Sequence, residues 1–182
     1  MRAVFIDRDG VICENRSDHV KSWEEFKFLP NSLLALSKLA KSEFAIVIVT
    51  NQAIIRRGIS DWQTVSSIHS NMLAEIRRNG GKVDLIQVCP HRSNENCFCR
   101  KPRSGLLVDA ASKLNIDLRR SYLIGDAMAD IYAGHAVGCK CIMVLTGRGI
   151  AESSEIAQSG VYPHIADDLS KAVDMILDGF AT

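Results

Sequence analysis

The chain has 182 residues, of which 47% are hydrophobic and 24% charged, and a formal net charge of +1; this suits a globular domain with one substantial core. So balanced a charge offers no field to gather nucleic acid or a membrane surface, and the longest apolar run, residues 44–49, is far too short to span a bilayer. A strand pattern begins at once, so a cytoplasmic protein with reduced thiols is expected, with a monomer favoured, and the six cysteines are read by spacing rather than as disulfides.

The first strand is predicted over 3–6 and ends in Asp7-Arg8-Asp9-Gly10-Val11. Residues i and i+2 of an extended chain share a face, so Asp7 and Asp9 can converge at the strand end while Gly10 lets the chain turn away. Two close carboxylates repel unless a cation or proton lies between them. A hard divalent ion such as Mg²⁺ suits carboxylate oxygens and leaves positions open for phosphate. The polar stretch 14–27 has no period and reads as a flap over this strand's end. Asn31 is placed to cap a helix carrying Leu33, Leu34, Leu36, Leu39 and Ala40.

A second buried strand over 44–49 leads into Thr50-Asn51-Gln52, a hydroxyl and two amides where a phosphate oxygen can sit. Ser60-Asp61-Trp62-Gln63 reads as a capping box opening a helix to about residue 78, closed by Gly80-Gly81. The third strand, 83–88, runs into Cys89-Pro90-His91, five polar residues, and Cys97-Phe98-Cys99. Three thiols and an imidazole at this spacing suit tetrahedral Zn²⁺, and four protein ligands leave no open position, so the expected site is structural. Arg100-Lys101-Pro102 follows directly, two cations that a metal-pinned loop can hold rigidly, and cations are what a transferring phosphoryl group needs. A helix is predicted over 104–114. The strand 122–124 ends in Gly125-Asp126, with Asp130 four residues on. If Asp126 faces the first strand's end it is a third carboxylate for Mg²⁺; otherwise it is a helix cap. A helix over 128–137, a strand over 141–145, and a helix over 169–177 complete the chain, with His164 in a loop and Asp167-Asp168 as a cap. Cys13 is expected to pack under the flap, and Cys139 and Cys141 to pack in the core.

Alternating strands and helices imply an α/β fold, a doubly wound Rossmann-like parallel sheet that binds ligands at the carboxyl ends of its strands. No repeat or linker divides it, so 1–182 is read as a single domain with the zinc loop at 89–101.

Asp7-Arg8-Asp9-Gly10-Val11, Thr50, Lys101, and Gly125-Asp126 with Asp130, in this order at strand ends, resemble the four motifs of the haloacid dehalogenase superfamily of phosphohydrolases. With Thr50-Asn51-Gln52 and the Cys89/His91/Cys97/Cys99-Arg100-Lys101-Pro102 run, they are similar to its capless branch of D-glycero-D-manno-heptose 1,7-bisphosphate and histidinol-phosphate phosphatases. The resemblance implies Asp7 as nucleophile and Asp9 as acid and base. It implies Mg²⁺ on Asp7, the Asp9 carbonyl and Asp126, and Thr50 and Lys101 on the transferring oxygens. Asn51, Gln52, Arg57 and Arg100 would meet the sugar or a second phosphate. The partner implied is a small phosphate ester, with the heptose bisphosphate ahead of histidinol phosphate. Ala53-Ile54 stand where the branch usually has Ser-Gly, Ala127 where it often has Lys, and Cys13 where it more often has Asn; these bear on the substrate rather than on the chemistry. The reading from another class is a zinc-bearing binding module without catalysis, against which stand the intact Asp7, Asp9, Thr50, Lys101 and Asp126.

Overall fold

The computed structural model describes residues 1–179. Its centre is a six-stranded sheet in the order β3-β2-β1-β4-β5-β6, with every neighbouring pair parallel. The strands are β1 (Ala3–Ile6), β2 (Ala45–Asn51), β3 (Leu85–Cys89), β4 (Tyr122–Gly125), β5 (Lys140–Val144) and β6 (His164–Ala166). Their apolar runs are continuous because both faces are covered. Alternate residues serve opposite cores. Val4, Ile6, Ile46, Ile48 and Ile124 face α1 (Ser32–Ala40), α2 (Trp62–Arg78) and α7 (Leu169–Leu177). Ala3, Phe5, Val47, Val49 and Leu123 face α3 (Gly105–Leu114) and α4 (Met128–His135). Two single-turn helices, α5 (Gly149–Glu152) and α6 (Ile156–Ser159), lie between β5 and β6.

This is the doubly wound order, in which the chain reverses direction of winding between β1 and β4. The crevice outside their carboxyl ends receives the segments that follow Ile6 and Ile124. The 14–27 segment lies there, anchored by Trp23 stacked on Phe26 at 5.1 Å and by Phe28 edge-on to both. Cys139 and Cys141 are buried in one core, as expected, and Cys13 is buried in the other.

Several local expectations need correction. His164 begins a sixth strand rather than lying in a loop, because three residues paired to β5 are too few to show a period. Asn31 precedes α1 in the left-handed region (φ 62°) and makes no side-chain cap. At α2 the capping side chain is Asp61, which accepts from the Thr64 N–H, and not Ser60, whose buried hydroxyl has no partner. Asp168 does cap α7, accepting from Lys171 N–H at 2.8 Å.

Candidate active site

Asp7 leaves β1 with its N–H still donating to Ile124 O of β4 at 3.0 Å, so the strand pairing itself sets where its side chain stands. One Asp7 carboxylate oxygen lies 2.9 Å from Lys101 Nζ. The same ammonium lies 2.5 Å from Asp130 Oδ1 and donates to Val49 O at 2.8 Å. Lys101 is buried, and although burial alone would lower its pKa, Asp130 and Asp7 raise it above the ordinary value. It is a fixed cation at the end of β2.

Asp7, Asp126 and Asp130 are all buried, and each offers a carboxylate oxygen within 4.8 Å of the others. Burial pushes Asp7 up to about 8, with Asp130 and Asp126 adding to the shift against the pull of Lys101. Asp126 rises to about 6 through burial and the charge of Asp130, against its contacts with Arg148. Asp126 Oδ1 and Asp130 Oδ1 are buried without a hydrogen bond of acceptable geometry. Two glycine backbones press on Asp126: a Cβ at Gly10 (φ +90°) or Gly147 (φ +56°) would stand 2.1 or 2.2 Å from its Oδ2. Three clustered carboxylates, two of them with a buried oxygen that accepts no hydrogen bond of acceptable geometry, are a donor set that fits a hard divalent ion. Asp130 stands with Gly125-Asp126 in the fourth motif, and its entry into this acid set beside Asp7 and Asp126 is an addition from the structure.

Asp9 goes elsewhere. Its carboxylate is forked by Arg8, Nε to Oδ2 at 3.1 Å and Nη2 to Oδ1 at 2.8 Å, and accepts from Gln52 Nε2 at 2.7 Å. Thr50 Oγ1 lies 3.5 Å from the same carboxylate and accepts from Gln52 at 2.8 Å. Burial works against the charge on Asp9, but Arg8 and these hydrogen bonds hold its carboxyl below the usual range. The two acids of the first motif thus occupy different electrostatic settings, one inclined to hold a proton and the other to shed it.

A cavity of about 360 Å³ brings together Asp7, Asp9, Thr50, Asn51, Gln52, Arg100, Lys101, Asp130 and Arg148, roofed by Asn15, Arg16, Ser17, His19 and Val20 of the 14–27 segment. Asn51 grips the Lys101 backbone, donating to its O and accepting from its N–H, both at 3.2 Å. Arg100 lines the cavity and donates to His91 O at 3.1 Å. Arg57 stands outside it, exposed, and meets the cavity only through His19 at 3.3 Å. Ala53 and Ile54 are buried within the turn that follows β2, and the Ala127 N–H donates to Asp130 Oδ2 at 3.2 Å. The 14–27 segment covers the cavity as a flap, as its lack of period suggests, whereas Arg148, which no sequence pattern ties to the site, and the pairing of Arg8 with Asp9 are additions from the structure.

Cys89 closes β3, and the Sγ atoms of Cys89, Cys97 and Cys99 lie 3.2–3.7 Å apart, with His91 Nδ1 3.2 Å from Cys99 and 3.6 Å from Cys89. Metal–sulfur bonds of about 2.3 Å in a tetrahedron place sulfurs about 3.8 Å apart, so the cluster is close to the size a zinc ion requires.

A family model described as HAD-hydrolase-like matches residues 98–172. The D-glycero-beta-D-manno-heptose-1,7-bisphosphate 7-phosphatase of Bordetella bronchiseptica is 34% identical over 97% of this chain and 98% of its own. A D-glycero-alpha-D-manno-heptose-1,7-bisphosphate 7-phosphatase of Mycobacterium tuberculosis is 35% identical over 83% of this chain and 84% of its own. The crystal structure of the B. bronchiseptica D,D-heptose 1,7-bisphosphate phosphatase, complexed with magnesium and phosphate, superposes with a TM-score of 0.91 over 98% of this chain and 99% of that one, at 34% identity.

Proposed function

Because this chain belongs to the haloacid dehalogenase-like phosphatases, we propose that it removes the 7-phosphate of D-glycero-D-manno-heptose 1,7-bisphosphate through an aspartyl-phosphate. The end-to-end match to heptose bisphosphate 7-phosphatases carries the choice of ester, and the Asp7–Lys101–Asp130 arrangement at the cavity floor supports the chemistry.

Asp7 is read as the nucleophile. Its carboxylate oxygen attacks phosphorus, the bond to the C7 oxygen breaks, and an acyl phosphate forms. Lys101 stands beside the attacking oxygen, where its charge opposes the negative charge carried by the transferring group. Thr50, 3.5 Å from the Asp9 carboxylate, is read as holding another phosphoryl oxygen. Asp9 donates a proton to the leaving alkoxide and later takes one from the water that attacks the acyl phosphate. Arg8 and Gln52 keep it ionised in the free protein, and a phosphate dianion entering beside it raises its proton affinity.

Asp7, Asp126 and Asp130, with the main-chain carbonyl of Asp9, would hold Mg²⁺. When bound, the ion supplies positive charge that displaces the Asp7 proton and opposes the phosphate charge. Cys89, His91, Cys97 and Cys99 would hold a structural Zn²⁺, fixing the turn from which Arg100 and Lys101 project. Arg100 and Arg148 are the cavity cations available for the second phosphate or the sugar. Asn51 and Gln52 contribute through Lys101 and Asp9, which they hold. The phosphatase acts on a small ester as a single domain, and no described helix is long and apolar enough to cross a membrane.

The test is initial rates with Mg²⁺ on both anomers of heptose 1,7-bisphosphate, heptose 7-phosphate, histidinol phosphate and other sugar phosphates. One heptose bisphosphate anomer should lead in kcat/KM. Equal or better turnover of histidinol phosphate would overturn the choice of substrate.

A further inference from the structure

Arg8 is 1% exposed, and its guanidinium is located from both ends. Nε and Nη2 fork the Asp9 carboxylate, and Nη1 lies 3.0 Å from Nε2 of His69, sixty-one residues away on α2. Among the buried residues of α2, His69 is the one polar side chain, beside Val65, Ile68, Met72 and Ile76. A core-filling role would be served at least as well by leucine, since burying an imidazole without need costs desolvation. A guanidinium can only donate, so the contact needs a neutral imidazole with its lone pair on Nε2 and its proton on Nδ1. Burial and the adjacent Arg8 charge lower the His69 pKa to about 4, which keeps the ring in that form at neutral pH.

We propose that His69 is a positioning residue for the phosphatase reaction, holding Arg8 in the plane from which it aims the Asp9 carboxylate at the leaving-group oxygen. Two bonds to Asp9 leave the guanidinium free to pivot about them; the third, to His69, removes that freedom. The proposal rests on the reading of Asp9 as general acid. It identifies a group that touches neither substrate nor metal ligand yet governs the protonation of the leaving group.

Esters with different leaving groups provide the test. An alkoxide needs a proton as it departs, whereas p-nitrophenolate leaves without one, so misaiming Asp9 selectively penalises kcat/KM on alkyl esters; this ratio reports steps only through release of the leaving group and excludes the later hydrolysis of the acyl phosphate, which both esters share. His69→Leu removes the acceptor, and His69→Asn is too short to reach Arg8. His69→Gln places an amide oxygen near the position of Nε2. Rates are compared on heptose 1,7-bisphosphate, or on glucose 6-phosphate should the wild type not turn over the heptose ester, and on p-nitrophenyl phosphate, with Asp9→Asn as the reference variant.

For His69→Leu and His69→Asn, kcat/KM on the alkyl ester should fall roughly 10- to 100-fold, as misplacement of a positioning group does. On p-nitrophenyl phosphate kcat/KM should fall less than about threefold on the same reasoning. His69→Gln should recover most of the alkyl activity. If His69→Leu does not fold, His69→Asn carries the comparison, with thermal melting to report its stability. Equal losses on both esters, no loss on either, or failure of His69→Gln to recover activity would overturn the proposal. If Asp9→Asn lowers kcat/KM equally on both esters, the reading of Asp9 as acid fails; if Asp9→Asn is ester-selective in kcat/KM and the His69 variants are not, only the role of His69 fails.

Discussion

The acid cluster makes magnesium affinity a proton-linked quantity. Asp7, with a pKa near 8 in the metal-free protein, holds a proton at neutral pH because burial and two neighbouring acids outweigh Lys101. An ion binding there must displace that proton, so apparent affinity should rise tenfold per pH unit below this pKa. With one proton at about 8, the competition factor is about 100 at pH 6 and about 2 at pH 8, giving roughly a 50-fold gain in affinity between them. Asp126, near 6, adds at most about a further twofold. Where free Mg²⁺ exceeds both dissociation constants, the 50-fold gain is about 2 kcal/mol of extra stabilisation by the ion at pH 8, or about 4–9 °C in Tm for a chain of this size. The sign for the metal-free protein is opposite. The native state binds more protons than the unfolded chain between pH 4 and 8, so its stability should decline as pH rises through that window. Thermal melts across a Mg²⁺ titration at pH 6, 7 and 8 measure both slopes, and Asp7→Asn should flatten the pH dependence between 7 and 8. Affinity that changes less than about threefold from pH 6 to 8 would refute the account, since a buried proton in competition with the metal cannot be silent.

Asp7→Asn should abolish turnover while keeping the fold, because the amide is nearly isosteric but forms no acyl phosphate; substantial activity in the purified variant would remove Asp7 from the nucleophile role. Lys101→Ala takes the cation from between two buried carboxylates. It should lower kcat/KM by at least about 10²-fold and stability by about 3–5 kcal/mol while metal analysis still finds zinc. A near-wild-type rate would exclude Lys101 from the chemistry. Protein purified without added zinc should carry one ion per chain. Cys99→Ser should lose it and, by loosening Arg100 and Lys101, lose up to about 10²-fold in kcat/KM; a folded, zinc-free variant with full activity would leave the loop only a stability clip. Gly10→Ala forces a Cβ into Asp126 at φ +90°. It should destabilise by about 1–3 kcal/mol and raise the Mg²⁺ concentration for half-activation, and an unchanged Mg²⁺ requirement would show that Asp126 can move aside.

The sequence by itself determined what depends on near neighbours. Continuous apolar runs alternating with helical periods specified a covered parallel sheet, and residues directly after a strand's last apolar position had to emerge at its carboxyl end. Asp7, Thr50 and Asp126 were therefore legible as crevice residues, as were Cys89, His91, Cys97 and Cys99, whose close spacing confines them to one loop. Tertiary structure decided everything that turns on which strand lies beside which. The neighbours β1, β2 and β4 carry Asp7, Thr50 and Asp126 into one crevice, and the first turn of α4 adds Asp130 to the acids there. The pairing of Arg8 with His69 spans sixty-one positions that no local pattern links. Side-chain direction after a strand was equally hidden. Strand alternation put Asp7 and Asp9 on one face, but Gly10 turns the chain at φ +90°, and Asp9 finds Arg8 and Gln52 instead of the acid cluster. Asn51 turns onto the Lys101 backbone and Arg57 out of the cavity for the same reason: once the backbone leaves the ladder, hydrogen-bond partners brought near by the fold choose the rotamer.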